Sequence, residues 1–276
     1  MYSEYYNFGG CTLNITGDEH WSDTIDCSRF RVPKASAAHT IRVLIGGESS
    51  PPPESAVRDG CMCRWREGSR SCLLHRYDRQ YSALAVRENG ETRLCLSPDY
   101  AGKLSVQTIL ESAGLFDILA EQELVVLHAS YIVTGGKALL FSGPSGAGKS
   151  TQAALWEKYC GAKVVNGDRT LVRVTDATAH GIFLAGTSGI CENISAPVRA
   201  IIFPERSQRS ALHELRPVES FARLLGQCAY YPWDPRSLET TSALAAQLAG
   251  SVPIYRFECR RDESSVHELQ ARLAQI

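Results

Sequence analysis

The chain is 276 residues long, with 44% apolar and 21% charged residues, which is enough for one large domain or two small ones with buried cores. Lys+Arg 29 against Asp+Glu 30 leaves a formal net charge of -1, so no global field draws the protein to nucleic acid or anionic lipid. No apolar run approaches the ~20 residues that span a bilayer, and Met1-Tyr-Ser-Glu-Tyr-Tyr6 lacks the basic and apolar regions of a signal peptide, so the expectation is a soluble cytoplasmic protein with no nucleic-acid or membrane partner.

Up to about Leu96 the sequence reads as short β-segments separated by turns, at Cys11–Thr16, Thr40–Ile45, Cys72–Tyr77, Ser82–Arg87 and Thr92–Leu96. The last two are joined by Glu88-Asn89-Gly90-Glu91, whose Asn-Gly pair suits a tight hairpin. Gly46 to Pro53 is a loop by composition, since three consecutive prolines fit neither a helix nor a central strand. Without an export signal the ten cysteines read as reduced thiols, and Cys61-Met62-Cys63 followed by Cys72 lacks the paired C-x-x-C spacing of structural zinc. Cys160, Cys191, Cys228 and Cys259 lie among apolar neighbours as small core residues.

A helix is expected from Ser105, with Val106, Ile109, Leu110, Ala113, Phe116 and Ile118 to Leu119 on one face and Gly114 weakening its middle. Strands follow at Leu124–Ser130, Tyr131–Val133 and, past the Gly135-Gly136 turn, Lys137–Ser142. Farther on come a helix at Thr151–Tyr159, strands at Leu171–Val174, Gly181–Ala185 and Arg199–Phe203, the last bounded by Pro204, and helices at Glu219–Leu225, Ser242–Ala249 and Ser264–Leu273. The division is set between a β-rich lobe, residues 1–104, and a nucleotide-binding domain, residues 105–276.

Gly143-Pro144-Ser145-Gly146-Ala147-Gly148-Lys149-Ser150 fits G-x-x-x-x-G-K-[ST] and lies between a predicted strand and a predicted helix. Glycines let successive N–H groups turn toward an anion, and the helix start adds its positive dipole end. Lys149 is then placed for the β- and γ-phosphates and Ser150 for a bridging Mg²⁺. An ordinary P-loop domain adds an apolar strand ending in Asp. The nearest counterpart is Val164-Val165-Asn166-Gly167-Asp168-Arg169, and several β-segments follow it in place of alternating βα units, which argues against a doubly wound fold.

At these residues the sequence resembles the HPr kinase/phosphorylase-like family, whose fold is related to the nucleotide site of phosphoenolpyruvate carboxykinase. Leu127-His128-Ala129 looks like the family's His-containing motif, Gly143–Thr151 like its phosphate loop, and Asn166–Arg169 falls at its Asp-Asp motif. Ala185-Gly-Thr-Ser-Gly189, Cys191-Glu192-Asn193 and Ala196–Phe203 are similar to the segment shared by the kinase-like branch. The likeness covers roughly Leu124 to the end. It implies an α/β fold with a mixed β-sheet, behind the β-rich lobe, and an ATP- and Mg²⁺-dependent kinase. Asp168 would bind metal or accept the proton, and His128 would sit beside the phosphates. The bare residues leave a turn role open for Asp168 and a core role for His128.

Two departures stand out. Gly167 replaces one of the family's paired aspartates, leaving Asn166 to offer a carbonyl oxygen, and the family's motif for phosphorylase activity is missing. Arg169, Arg173, Arg199, Arg206 and Arg209 are candidate clamps for phosphate or an acidic acceptor, Glu192 and Asn193 candidate acceptor or metal contacts, and Tyr230–Pro235 an aromatic stretch that suits a core edge. The expected activity is transfer of a γ-phosphate to a hydroxyl, serine-type, on a peptide, protein or small metabolite. The alternatives are a nucleotide sensor or scaffold and, less favoured, carboxykinase chemistry. Relatives often form homo-oligomers, and no segment here marks an interface.

Overall fold

The computed structural model describes residues 1–23, 25–46, 51–77 and 81–275, so part of the predicted loop at 46–53 lies outside the described residues. The protein is mixed α/β and β-rich, with two mixed sheets. It divides into two compact units: Met1–Gln122 with Tyr230–Glu239, and Glu123–Ala229 with Thr240–Ile276. None of its described helices is long and apolar enough to cross a membrane.

The first unit carries β1 (Tyr2–Phe8), β2 (Cys11–Gly17), the single turn α1 (Ile25–Ser28), β3 (Arg31–Val32), β4 (His39–Ile45), β5 (Val57–Asp59) and β6 (Met62–Glu67). Then come β7 (Arg70–Arg76), β8 (Ser82–Glu88), β9 (Glu91–Leu96), α2 (Val106–Ser112) and α3 (Leu115–Ala120). The nine strands form one sheet in the order β3-β1-β2-β4-β9-β8-β7-β6-β5, with β4 parallel to both β2 and β9. β4 alternates as a half-buried strand should, with His39, Ile41 and Val43 inside and Arg42 and Leu44 exposed. Tyr6, Phe8, Leu13, Ile15, Phe30 and Ile41 are fully buried in its core. The expected hairpin forms, β8 pairing with β9 and Glu88 opposite Glu91.

Helix formation after Ser105 differs from the sequence expectation of one continuous helix. The chain breaks at Gly114, whose φ of +81° is left-handed, and restarts as α3. The sequence-based division at 104/105 also differs from the structural one. Ser22 and Leu104–Val106 exchange backbone hydrogen bonds of 2.8 and 3.1 Å, and Asp117 of α3 pairs with Arg64 of β6 at 2.6 Å, which ties both helices to the first unit. The segment Tyr230–Glu239 joins them: Asp234 pairs with Arg64, Ser237 donates to Asp117 at 2.8 Å, and Arg64 lies 4.9 Å over the Tyr231 ring. Burial alone would lower the Arg64 pKa, but Asp117 and Asp234 reverse this and raise it.

The second unit carries β10 (Leu124–Thr134), β11 (Lys137–Ser142), α4 (Lys149–Cys160), β12 (Lys163–Asn166), β13 (Arg169–Arg173), β14 (Thr178–His180) and β15 (Ser195–Arg206). They are followed by β16 (Ala211–Glu214), α5 (Pro217–Leu225), α6 (Pro235–Ser251), which runs across the division at Glu239, β17 (Ile254–Cys259) and α7 (Glu263–Leu273). Two long strands organise the sheet. β10 pairs with β13 through residues 124–128 and with β11 through 129–134, while β15 pairs in turn with β14, β11 and β17. The pairings therefore close a circuit, β11-β10-β13-β14-β15 and back to β11. Ile132, Leu139, Phe141, Trp156, Ile202, Phe257, Val266 and Leu269 are buried together, so α4 and α7 share one core with β11, β15 and β17.

Two strand expectations are corrected here. Gly181–Ala185 is not a strand; pairing occurs one step earlier, at Thr178–His180 between β13 and β15, and ends with the bond from Gly181 N to the Ile194 carbonyl at 3.0 Å. β15 does not stop at Pro204. It runs on to Arg206, because β11 has ended near Ile202 and β15 is paired there only with β17, an edge position that tolerates a residue without an N–H.

Candidate functional site

The buried strand β11 delivers the chain to the G-x-x-x-x-G-K-S loop, and α4 begins at Lys149 directly behind Gly148. Gly148 caps the helix with φ +102°, a left-handed conformation that a side chain would strain. The N–H groups of the first turn of α4 have no carbonyl partner within the helix, and the dipole adds positive potential there. Lys149 is 6% exposed, and its Nζ donates to the carbonyls of Gly143 at 2.9 Å and Pro144 at 3.1 Å. Burial lowers its pKa, with Asp168 opposing the shift and Arg169 adding to it.

Asp168 stands at the turn between β12 and β13, and two side chains converge on its carboxylate. His128 Nε2 lies 3.3 Å from its Oδ1, and an Arg169 guanidinium nitrogen 3.5 Å from its Oδ2. Burial lowers the His128 pKa, and Lys149 and Arg169 push it further down against the pull of Asp168. Strand pairing explains the meeting, since His128 of β10 is in register with Arg169 of β13. Ser150 Oγ lies 3.5 Å from the carbonyl of Gly167, the residue before Asp168. The structure therefore brings Lys149, Ser150, His128, Asp168 and Arg169 to one place.

A loop not singled out at this depth by sequence walls the site. In the 3-10 turn Gly186–Ser188, Gly186 packs so close to Asp168 that an added Cβ would meet its Cβ and Cγ at 2.6 Å. Ser188 fills the space beside Gly167, where an added Cβ would come within 2.1 Å of its Oγ and 2.4 Å of its Cβ. Ser188 Oγ donates to the Ala185 carbonyl at 2.7 Å and accepts from Ile190 N at 3.2 Å, and Gly167 N donates to the Ile190 carbonyl at 3.3 Å. Ser130, fully buried, donates to the Gly167 carbonyl at 2.8 Å. The only sequence signal for this wall was the Gly-Thr-Ser-Gly run; nothing marked Ser130.

Several candidates lie elsewhere. Asn166 does not offer its carbonyl oxygen to a metal, because that oxygen accepts from the backbone N–H groups of Asp168 and Arg169 at 3.0 Å each and Nδ2 donates to Ile182. Asn166 is thus the brace that shapes the Asp168 turn. Glu192 pairs with Lys163 at 3.2 Å, at the far end of β12 from Asp168. Arg199 donates to the Leu273 carbonyl at 2.5 Å and so ties β15 to α7. In the first unit Tyr231 packs edge-on to Trp233 with centroids 5.8 Å apart, as a core edge. All ten cysteines are free, and no group of three or more His, Cys, Asp or Glu that could hold a metal occurs among the described residues.

For a cation, the available donors are the Ser150 hydroxyl and the Asp168 carboxylate. Both are hard oxygens of the kind Mg²⁺ accepts when it keeps its waters and shares the phosphate oxygens of a nucleotide. That donor set fits Mg²⁺ with a nucleotide and does not make a cage for a metal alone. Comparison of the chain with protein-family models and with curated proteins finds no match.

Proposed function

We propose that the protein is an ATP- and Mg²⁺-dependent kinase that transfers the γ-phosphate to a hydroxyl on a peptide, protein or small metabolite. The observation that carries this reading is the His128–Asp168–Arg169 cluster set against the lysine and serine of the phosphate loop. Mg²⁺, when bound with the nucleotide, would neutralise charge on the phosphate oxygens, with Ser150 and Asp168 as its protein ligands. Lys149 would turn from the loop carbonyls to the transferring phosphoryl group and stabilise its charge. The Asp168 carboxylate would accept the proton of the attacking hydroxyl, held in orientation by the His128 N–H on one oxygen and Arg169 on the other.

The test is transfer of label from γ-labelled ATP with Mg²⁺ to serine-containing peptides, free amino acids and proteins of the native cell extract. A labelled acceptor that is lost with Lys149→Ala, and lost with Asp168→Asn while ATP affinity is kept, supports the reading. ATP binding with no label moved to any acceptor would favour a nucleotide sensor. That second reading draws on the single carboxylate left by Gly167, a position where Ser188 closes off any side chain.

A further inference from the structure

At the β5–β6 hairpin the first unit holds a cavity of about 220 Å³, lined by Pro52, Arg58, Cys61, Cys63, Leu74 and Arg76 among others. Strand register explains this lining. Arg58 of β5 stands opposite Cys63 of β6, and Cys63 opposite Leu74 of β7, so the three share one face of the sheet. Arg76 follows Leu74 by two residues and so points to the same face, and its backbone N–H donates to the Cys61 carbonyl at 2.8 Å. Because β5 and β7 flank β6, the two arginine backbones lie about 10 Å apart across the sheet and about 7 Å along it, a span that two long side chains close from opposite sides.

Charge in the cavity is one-sided. Among the described residues no aspartate or glutamate lines it. Both arginines are exposed, and neither has an ion pair among the described residues; Arg58 makes one long bond, 3.4 Å to the Pro53 carbonyl, and keeps most of its donors. The floor is apolar: Cys63 is 5% and Leu74 2% exposed, and both belong to the buried cluster that contains Trp65 and Leu84. Cys63 also registers both cations, for burial pushes its thiol pKa up while Arg58 and Arg76 pull it down. Two guanidiniums over one floor repel each other until an anion comes between them, and each offers a planar fork to an oxyanion.

We infer that this cavity binds a small organic phosphate monoester, with its doubly charged head between Arg58 and Arg76 and its carbon part on Cys63 and Leu74. A monocarboxylate brings less charge to the two guanidiniums, and inorganic phosphate has nothing to lay on the floor. The volume is below the roughly 300 Å³ at which pockets for drug-sized ligands begin, so the ligand is small. The site uses no residue of the phosphate loop and stands apart from the kinase reading.

Cys61 supplies the readout, because it lines the cavity and is the only exposed cysteine of the ten. Its alkylation by iodoacetamide in the full chain, followed by mass spectrometry, is compared with and without each probe. Phenyl phosphate is expected to slow the reaction; benzoate and inorganic phosphate should need at least about tenfold higher concentrations for the same protection, and benzyl alcohol should give none. In Arg58→Gln/Arg76→Gln the phenyl phosphate concentration for half protection should rise at least about thirtyfold, with an unchanged thermal melt because both side chains are exposed. Taking the ratio of rates with and without probe removes the direct effect of the arginines on the thiol. Protection should persist in Lys149→Ala. The inference is overturned if phenyl phosphate gives no protection, if benzoate or inorganic phosphate protects equally well, if the double variant is protected like the parent, or if Lys149→Ala abolishes the effect.

Discussion

Gly167→Ala is the most informative single change in the protein. The φ of Gly167 is one that any residue adopts, so alanine meets no backbone penalty and its whole cost is steric. The new Cβ would lie 2.1 Å from Ser188 Oγ and 2.4 Å from Ser188 Cβ, where ordinary contact begins near 3.4 Å. Rotating the hydroxyl relieves only the first clash, so the 186–190 loop must retreat by about 1 Å and loosen the Gly167 N to Ile190 O bond and both Ser188 hydrogen bonds. Overpacking of about 1–3 kcal/mol, with hydrogen bonds worth about 1 kcal/mol each that partly re-form to water in an exposed loop, gives an expected loss of about 2–4 kcal/mol. Urea melts followed by circular dichroism would measure it for Gly167→Ala, Ser188→Gly and the pair. The pair should recover at least about 1.5 kcal/mol relative to additivity. A Gly167→Ala protein within about 0.5 kcal/mol of the parent, or additive costs, would refute the docking of this loop. The same geometry predicts that Gly167→Asp does not restore a working carboxylate pair.

Gly186→Ala places a Cβ 2.6 Å from Asp168 at a left-handed φ, and in transfer assays it should lower kcat at least about tenfold while ATP affinity is kept. Arg64→Ala takes the main ion-pair partner from two carboxylates that are each 9% exposed, leaving Asp117 with Arg87 at 3.8 Å, and should cost about 3–5 kcal/mol in denaturant melts, against a smaller loss for Arg64→Lys. Burial pushes His39 from 6.5 to about 4, so between those values the unfolded chain binds a proton that the folded chain refuses. Stability should therefore fall as pH drops through that window and be independent of this group above it. Melts of His39→Gln should show a shallower acid slope, and identical slopes would count against the burial of His39.

The loop and its flanking strand and helix were legible because the chemistry fixes residue types at fixed spacing and β11 and α4 carry clear periodicities. The contact of His128 with Asp168 was not legible, because it depends on the β10–β13 register, a long-range property that no local pattern encodes. Asn166 was misread for the same reason: its oxygen looked available until the turn it braces was seen. β1 was overlooked because its pattern of tyrosines and polar residues shows no alternation, although it pairs along its whole length with β2. The domain division slipped because Asp117 and Asp234 look like surface charges in sequence, and only their shared arginine shows that they are interior.

The return of Tyr230–Glu239 to the first unit sets an order on synthesis. Arg64 and Asp117 are made early, but the aspartate and aromatic ring that complete their surroundings emerge only after the Glu123–Ala229 part of the second unit has left the ribosome. Until then the nascent first unit carries an incomplete charge cluster in what will be its interior, and it should remain a client for chaperones. For the same reason no single cut separates the units: a fragment ending at Gln122 lacks Asp234 and Tyr231, and a faithful first unit would need the 230–239 segment grafted back onto it.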